Sequence, residues 1–255
     1  MLLNDLKEEQ KMNTKKESKI LKTIEHYPIL TVLVLFMLYF LCYNIVENLN
    51  PQNFLLIDTP VDHLIPFSKY ASLPYMMWHL QMPVIVFFFY FKKDMENFWK
   101  VSIKLLAGLF IILLFSVIVP NQLDLRPAVV EGNDFFAWLA RFIYTADDAQ
   151  NVFPSGHAYG AAIMFFAWNK RITRPWEFYL NTLVNGAIVL STMLMKQHSI
   201  IDVFGGVIMA FVIEGLAEIP ELKKALPEIK LWLRQRKPVK KPAHTSIIKN
   251  IKPKN

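Results

Sequence analysis

Six blocks of mostly apolar residues alternate with polar and charged segments along the chain. A helix that crosses a bilayer core of about 30 Å needs roughly 20 apolar residues. The blocks cover residues 28–46, 73–91, 101–119, 155–168, 178–195 and 199–219. The fourth block is short, and the second carries His79, Gln81 and Pro83. The pattern predicts an all-α fold, an integral membrane bundle of six transmembrane helices.

The basic residues are distributed unevenly between the two sides of this bundle. If the N-terminus is cytoplasmic, 24 of the 28 lysines and arginines fall on the cytoplasmic side. Only Lys69, Arg126, Arg141 and Lys196 fall outside. Because lysine and arginine concentrate in cytoplasmic loops, this split predicts that both termini are cytoplasmic. We expect a multi-pass protein of the plasma membrane.

Three regions follow from this organisation. We expect a basic cytoplasmic N-terminal segment over residues 1–27, a membrane domain over residues 28–219, and a basic, flexible cytoplasmic tail over residues 220–255. The tail is rich in proline and lacks the aromatic or motif context of a nucleic-acid-binding segment. Its charge, part of a net +7, instead favours contact with anionic lipid headgroups.

Cysteine content excludes two classes of protein. Cys42 is the single cysteine, so a disulfide scaffold within the chain is impossible. A zinc site built on cysteine pairs is excluded for the same reason.

Polar residues cluster at two predicted outer boundaries of the membrane. Pro154, Ser155, Gly156 and His157 open the fourth block. Proline is favoured in the first turn of a helix, so we expect the next three residues in that turn, with backbone amides free to bind an anion. The Ser155 hydroxyl adds a donor, and Gly156 allows a close approach.

Two outer cations complete a possible phosphate site. Arg126 can hold two phosphate oxygens through its planar guanidinium, and Lys196 adds a point charge. Both residues fall in predicted outer loops, the same side as Ser155 and Gly156.

Two histidines and an aspartate supply the candidate chemistry. His198 and Asp202 are four residues apart, which would place them on one helical face. A carboxylate there can orient the ring and leave its other nitrogen as a nucleophile. His157 can act as the general acid. Taken singly, a histidine at a helix end is usually just an interfacial polar residue, whereas Asp202 just inside a span needs a partner or a function.

Taken in chain order, these candidate site residues resemble the type 2 phosphatidic acid phosphatase superfamily. The pattern of that superfamily has three blocks: KxxxxxxRP, PSGH and SRxxxxxHxxxD. The second block is complete here, and the third retains Ser191, His198 and Asp202. Thr192 replaces its arginine, and Val119 replaces the lysine of the first block. Lys196 could substitute for one of these cations. The looser pattern looks like the branch related to inositol phosphorylceramide synthases.

The resemblance implies a phosphohistidine intermediate on His198, with His157 as the acid and no required metal or cofactor. We expect hydrolysis of a lipid phosphate at the extracytoplasmic face. Candidate substrates are phosphatidic acid, phosphatidylglycerol phosphate and a polyprenyl pyrophosphate. A head-group phosphotransferase of the sphingolipid-synthase type is the main alternative. A non-catalytic membrane scaffold and a transporter also stay open, whereas Phe153 breaks the GxSG pattern of a rhomboid protease.

Overall fold

The computed structural model describes residues 23–24, 26–49 and 54–219, and this part of the chain is mostly helical. The helices are α1 (Pro28–Glu47), α2 (Pro60–Leu64), α3 (Ser72–Phe91), α4 (Met95–Ile118), α5 (Phe135–Ala146), α6 (Gly156–Asn169), α7 (Pro175–Leu194) and α8 (Ile200–Glu218). Two short parallel strands, β1 (Leu55–Leu56) and β2 (Asn121–Gln122), pair with each other.

Each of the six apolar blocks forms a helix, so the predicted helical architecture is confirmed. Among the described residues, four helices have the length and hydropathy of membrane spans: α1, α3 with its preceding turn, α4 and α8. Helix α6 has only 14 residues. The six crossings and the orientation of the termini therefore stay predictions. The basic segment before residue 23 and the tail after residue 219 lie outside the described residues.

Helix α6 occupies the centre of the bundle and packs against α8, α7, α4 and α3. Its contact with α8 is close because Gly206 carries no side chain. A Cβ added there would lie 2.3 Å from the backbone oxygen of Ser155. Gly160 similarly makes room for the indole of Trp78 on α3. Small residues let helix backbones approach within a membrane, and here they bring the starts of α6 and α8 together.

Buried amide side chains join α3, α7 and α6 through hydrogen bonds. Gln81 Nε2 donates to Asn185 Oδ1 at 3.0 Å, and Asn185 Nδ2 donates to Asn181 Oδ1 at 2.8 Å. Asn181 Nδ2 then donates to the backbone oxygen of Phe165 at 3.1 Å. Polar groups in an apolar interior need such partners, so this ladder explains why α7 is less apolar than its neighbours.

A cap of short segments covers the end of the bundle at which α6 and α8 begin, which is the predicted outer end. Strand β2 also forms an isolated bridge between Gln122 and Gln150. The buried Asn121 side chain accepts a hydrogen bond from the Phe153 amide at 2.9 Å through Oδ1 and donates to the Val119 oxygen at 2.9 Å. These bonds fix the segment that leads into α6.

Candidate active site

The start of α6 differs in detail from the sequence expectation. Ser155 is the N-cap and α6 begins at Gly156, so Pro154 precedes the helix instead of occupying its first turn. The reason is that the Ser155 hydroxyl accepts a hydrogen bond from the Ala158 amide at 3.2 Å, as an N-cap side chain does. The Ser155 amide is already used, because it donates to the Asp202 backbone oxygen at 2.9 Å. The first-turn amides of Gly156 and His157 remain the candidate anion donors.

His157 lies between two aromatic rings of α3. Its ring centroid is 4.3 Å from that of Tyr75 and 4.2 Å from that of Trp78. The residue is 9% exposed, and its buried Nε2 has no hydrogen-bond partner among the described residues. This packing holds the imidazole in one orientation while leaving one nitrogen available.

The sequence placed His198 and Asp202 on one helical face, and the structure corrects that placement. Helix α8 begins at Ile200, Ser199 is its N-cap, and His198 precedes the cap. Asp202 completes a capping box, since its Oδ2 accepts from the Ser199 amide at 2.7 Å. The two side chains nevertheless meet, with His198 Nδ1 3.6 Å from Asp202 Oδ2. The capping turn, and not helical periodicity, brings them together.

The two histidines face each other across the α6–α8 contact. His198 Nε2 lies 3.4 Å from His157 Nδ1, and the ring centroids are 5.6 Å apart. Because Nδ1 of His198 points to a fully buried carboxylate, its Nε2 is the nitrogen that faces the partner ring. A reacting atom in position for attack lies about 3–3.5 Å from its nucleophile, so these rings must separate before such an atom can enter between them.

Arg126 is connected to the His198 loop through the side chain of Gln197. Its Nη2 donates to the Asp147 backbone oxygen at 2.8 Å and also to Gln197 Oε1. The guanidinium stacks on the Tyr144 ring, 4.6 Å from its centroid. Burial raises the pKa of Tyr144 to about 12 despite the opposing charge of Arg126, and this phenol donates to the Met195 oxygen at 2.6 Å.

The Lys196 side chain is bound within the cap, so its expected role as a phosphate-binding cation stays a prediction. Its Nζ donates to the backbone oxygen of Asp62 at 2.6 Å. Burial lowers the pKa of the ammonium, and the charge of Asp62 opposes that shift. Lys196 lies in the loop between α7 and α8 with a positive backbone φ of 55°, and the Asp62 backbone oxygen is the acceptor that holds its side chain in the cap.

Asp62 ties the same loop to the cap through its side chain. Its Oδ1 accepts from the Ile200 amide, the first residue of α8, at 2.8 Å. Its Oδ2 accepts from the Thr59 amide at 2.7 Å. A carboxylate at a helix N-terminus is favourable, and this one holds the turn that carries His198.

A cavity of about 620 Å³ opens beside the histidines. Helix α1 packs against α4, and residues of α1 and α3 line the cavity from two sides. Gly156, His157, Gln197 and His198 line one end. The other predicted site residues, Arg126, Ser155, Lys196 and Asp202, are not part of its lining.

The cavity changes character along α1. Glu47, Asp147 and Asp148 lie at one end, close to the outer cap. Ile29, at the opposite end of α1, also lines the cavity, and Val32, Leu33 and Phe36 lie between. Eighteen residues of α-helix span about 27 Å at 1.5 Å per residue. The cavity is therefore long, with polar residues near the C-terminal end of α1 and apolar walls along the rest of that helix.

Sequence reasoning missed Gln197, Tyr75, Trp78 and Asp62 as members of this site. Gln197 stands next to His198, but nothing in the pattern distinguishes it from an ordinary polar loop residue. Tyr75 and Trp78 look like any aromatic residues of an apolar helix. Their roles depend on contacts between segments far apart in the chain, which spacing alone does not give.

Comparison with known proteins bears on this arrangement. The family model described as the PAP2 superfamily matches residues 51–216, which include both histidines and Asp202. No curated protein and no solved structure matches the chain.

Proposed function

The chain belongs to the PAP2 superfamily, whose members are generally phosphatases, and on this premise we propose that it is an integral membrane phosphatase of lipid phosphates. Family membership indicates phosphatase or phosphotransferase activity on phosphate esters. The cavity carries the further step to a lipid. Its apolar walls suit a hydrocarbon chain, and its end at His157 and His198 suits the phosphate.

The reaction that we propose uses both histidines in turn. His198 Nε2 attacks phosphorus, the bond from phosphorus to the lipid oxygen breaks, and His157 gives its proton to that oxygen. Asp202 holds the attacking ring and stabilises its positive charge. Water then attacks the phosphohistidine, His157 accepts a proton from it, and inorganic phosphate leaves. The amides at the start of α6 and the Arg126 guanidinium are the proposed phosphate donors.

The proposed setting is the plasma membrane, with six crossings and the site on the extracytoplasmic face. The positive-inside distribution of lysine and arginine supports this orientation. The substrate phosphate would then meet the histidines at the outer face while its hydrocarbon chain stays among α1, α3 and α4. Phosphatidic acid, phosphatidylglycerol phosphate and a polyprenyl pyrophosphate are all suitable substrates. The resemblance to this superfamily implies that no metal is required, and we propose the same for this protein.

Head-group transfer is the second candidate, and the side chains at two positions favour it. Val119 carries no charge, and the fully buried Thr192 donates its hydroxyl to the Val189 oxygen at 2.7 Å. A phosphodiester carries one negative charge, whereas a phosphomonoester carries nearly two at neutral pH. A site with fewer cations suits the diester, whose phosphoryl group would pass from His198 to an alcohol.

The test is turnover by the purified protein in detergent, with EDTA present. Wild type and His198→Ala are compared on the three phosphomonoester and pyrophosphate lipids, and on phosphodiester lipids with a long-chain alcohol as acceptor. Phosphate release that disappears in the variant supports the phosphatase, and a transferred head group supports the transferase. Equal turnover by wild type and variant would contradict both.

A further inference from the structure

In the candidate site, a cation without a charged partner lies next to an amide whose NH₂ group has no hydrogen-bond partner among the described residues. Within the described part of the chain, no ion pair involves Arg126, whose guanidinium donates only to neutral oxygens. Its Nε is buried and has no hydrogen-bond partner within the part of the chain that the structure describes. The residue as a whole is half-buried, and a half-buried cation that lacks a charged partner is suited to bind an anion.

Gln197 connects that cation to the cavity. The residue is 2% exposed and lies next to His198. Its Oε1 accepts the hydrogen bond from Arg126 Nη2. A guanidinium only donates, so the oxygen of the amide must face it and the NH₂ group must face elsewhere. That Nε2 is buried and has no hydrogen-bond partner among the residues that the structure describes, and Gln197 belongs to the cavity lining.

Contacts on both sides of Gln197 fix the position of its amide. The Gln197 backbone amide donates to the Thr192 oxygen at 2.9 Å, and the His198 amide donates to the same oxygen at 3.2 Å. Met195 and Lys196 are held by Tyr144 and Asp62 through the hydrogen bonds described above. An NH₂ group held rigidly beside a nucleophile is preorganised to donate to an oxygen of the reacting group.

We propose that Gln197 is a phosphate-binding residue, which donates from Nε2 to a phosphoryl oxygen while its Oε1 holds Arg126 in place. The inference rests on the proposed function, since it assigns the ligand of the same site. It supplies a donor that the sequence pattern did not provide, because Val119 and Thr192 offer no charge and Lys196 is bound to Asp62. The chemical class of ligand is the tetrahedral or trigonal-bipyramidal oxyanion of phosphorus.

The test compares two substitutions that separate the two ends of the amide. Gln197→Glu keeps an oxygen for Arg126 but replaces the NH₂ donor with a negatively charged oxygen. Gln197→Met removes both functions at similar volume. The matched control is Gln122→Met, which makes the same change in β2, outside the cavity lining. Binding of orthovanadate, a phosphate analogue, is measured by titration calorimetry on the full chain in detergent.

We expect vanadate affinity to fall about 10- to 100-fold in Gln197→Met and further in Gln197→Glu, with the control unchanged. If Gln197 only supported Arg126, Gln197→Glu would retain wild-type affinity, and that result would overturn the proposal. Wild-type protein that binds no vanadate would refute the phosphate site itself, and therefore the proposed function as well.

A measurement on the wild type covers the case in which a Gln197 variant fails to fold. The protein is labelled with ¹⁵N in its glutamine side chains and titrated with orthovanadate. We expect the NH₂ resonance pair of one glutamine to shift. The same pair should be present and should shift in the same way in the Gln122→Met spectrum. Vanadate binding with no shifted glutamine pair would contradict the proposal.

Discussion

At the scale of single residues, the Asp202 carboxylate has two contacts in the proposed site. Asp202 is fully buried. Its Oδ2 accepts a hydrogen bond from the Ser199 amide and lies 3.6 Å from His198 Nδ1. The same carboxylate therefore starts helix α8 and orients the proposed nucleophile. If one carboxylate has both roles, removing its charge without changing its shape should lower the catalytic rate and leave the fold intact.

Asp202→Asn is the substitution that separates the two uses. The amide oxygen can still cap Ser199, but the side chain can no longer stabilise a positively charged His198. We expect kcat to fall by about 10²–10⁴-fold with KM for the lipid phosphate little changed. Steady-state kinetics in detergent measures this, and the circular dichroism spectrum and thermal midpoint report on folding. A normal kcat in a folded variant would remove Asp202 from the mechanism.

At the scale of elements, α1 and α3 line the cavity beside the histidines, and we expect them to select the molecule that reaches these residues. Trp78 packs on His157, and Val86 lies eight residues further along α3, about 12 Å deeper. Both residues line the cavity, whereas Val84 on the same helix is 63% exposed on another face. The depth at which a side chain fills the cavity should therefore limit the length of the hydrocarbon chain.

Val86→Phe is expected to select against long chains. The larger ring occupies the deep part of the cavity, so KM should rise for a long-chain lipid phosphate and stay near wild type for a short-chain one. Val84→Phe makes the same change on the exposed face and serves as the control. The ratio of kcat/KM for the two chain lengths is the measured quantity. An unchanged ratio in Val86→Phe would mean that the chain lies elsewhere.

At the scale of the whole molecule, helices α6 and α7 complete the bundle although each is a weak span by itself. Helix α6 is short, and α7 carries the buried Asn181 and Asn185. Central position compensates, because α6 packs against four neighbours and the amides of α7 bond within the bundle. Six crossings with cytoplasmic termini are the topology that this packing and the lysine distribution favour.

Cysteine accessibility tests that topology. In a Cys42→Ser background, Asp124→Cys places a thiol in the cap and Thr173→Cys places one in the turn between α6 and α7; both native side chains are exposed. A membrane-impermeant maleimide should label residue 124 in intact cells and residue 173 only after lysis. The reverse pattern would mean that the protein has the opposite orientation in the membrane. Labelling of both residues in intact cells would mean that the chain does not cross the membrane an odd number of times between residues 124 and 173.

The sequence was sufficient for the helices and the identity of the histidine pair, but not for the way the pair is built. Long apolar runs predict helices because lipid offers no hydrogen-bond partners to the backbone, whose N–H and C=O groups must then bond within the helix. The helices α6 and α8 begin within one residue of the predicted blocks. Pro154 and His198 nevertheless lie before the helices, because capping hydrogen bonds of Ser155, Ser199 and Asp202 decide where the first turns begin. The hydrogen bond of Lys196 to Asp62 was not foreseen, because Asp62 lies 134 residues away along the chain. Such contacts depend on the packed structure and leave no local pattern.

The central claim is that His198 carries the phosphoryl group, and trapping of the intermediate tests it most directly. The protein is mixed with a lipid phosphate labelled with ³²P, quenched within one turnover, digested and analysed by mass spectrometry. The account predicts an acid-labile, alkali-stable label on the peptide that contains His198, and no label in His198→Ala. Product formation at the wild-type rate without a labelled His198 peptide, or in the His198→Ala variant, would contradict it.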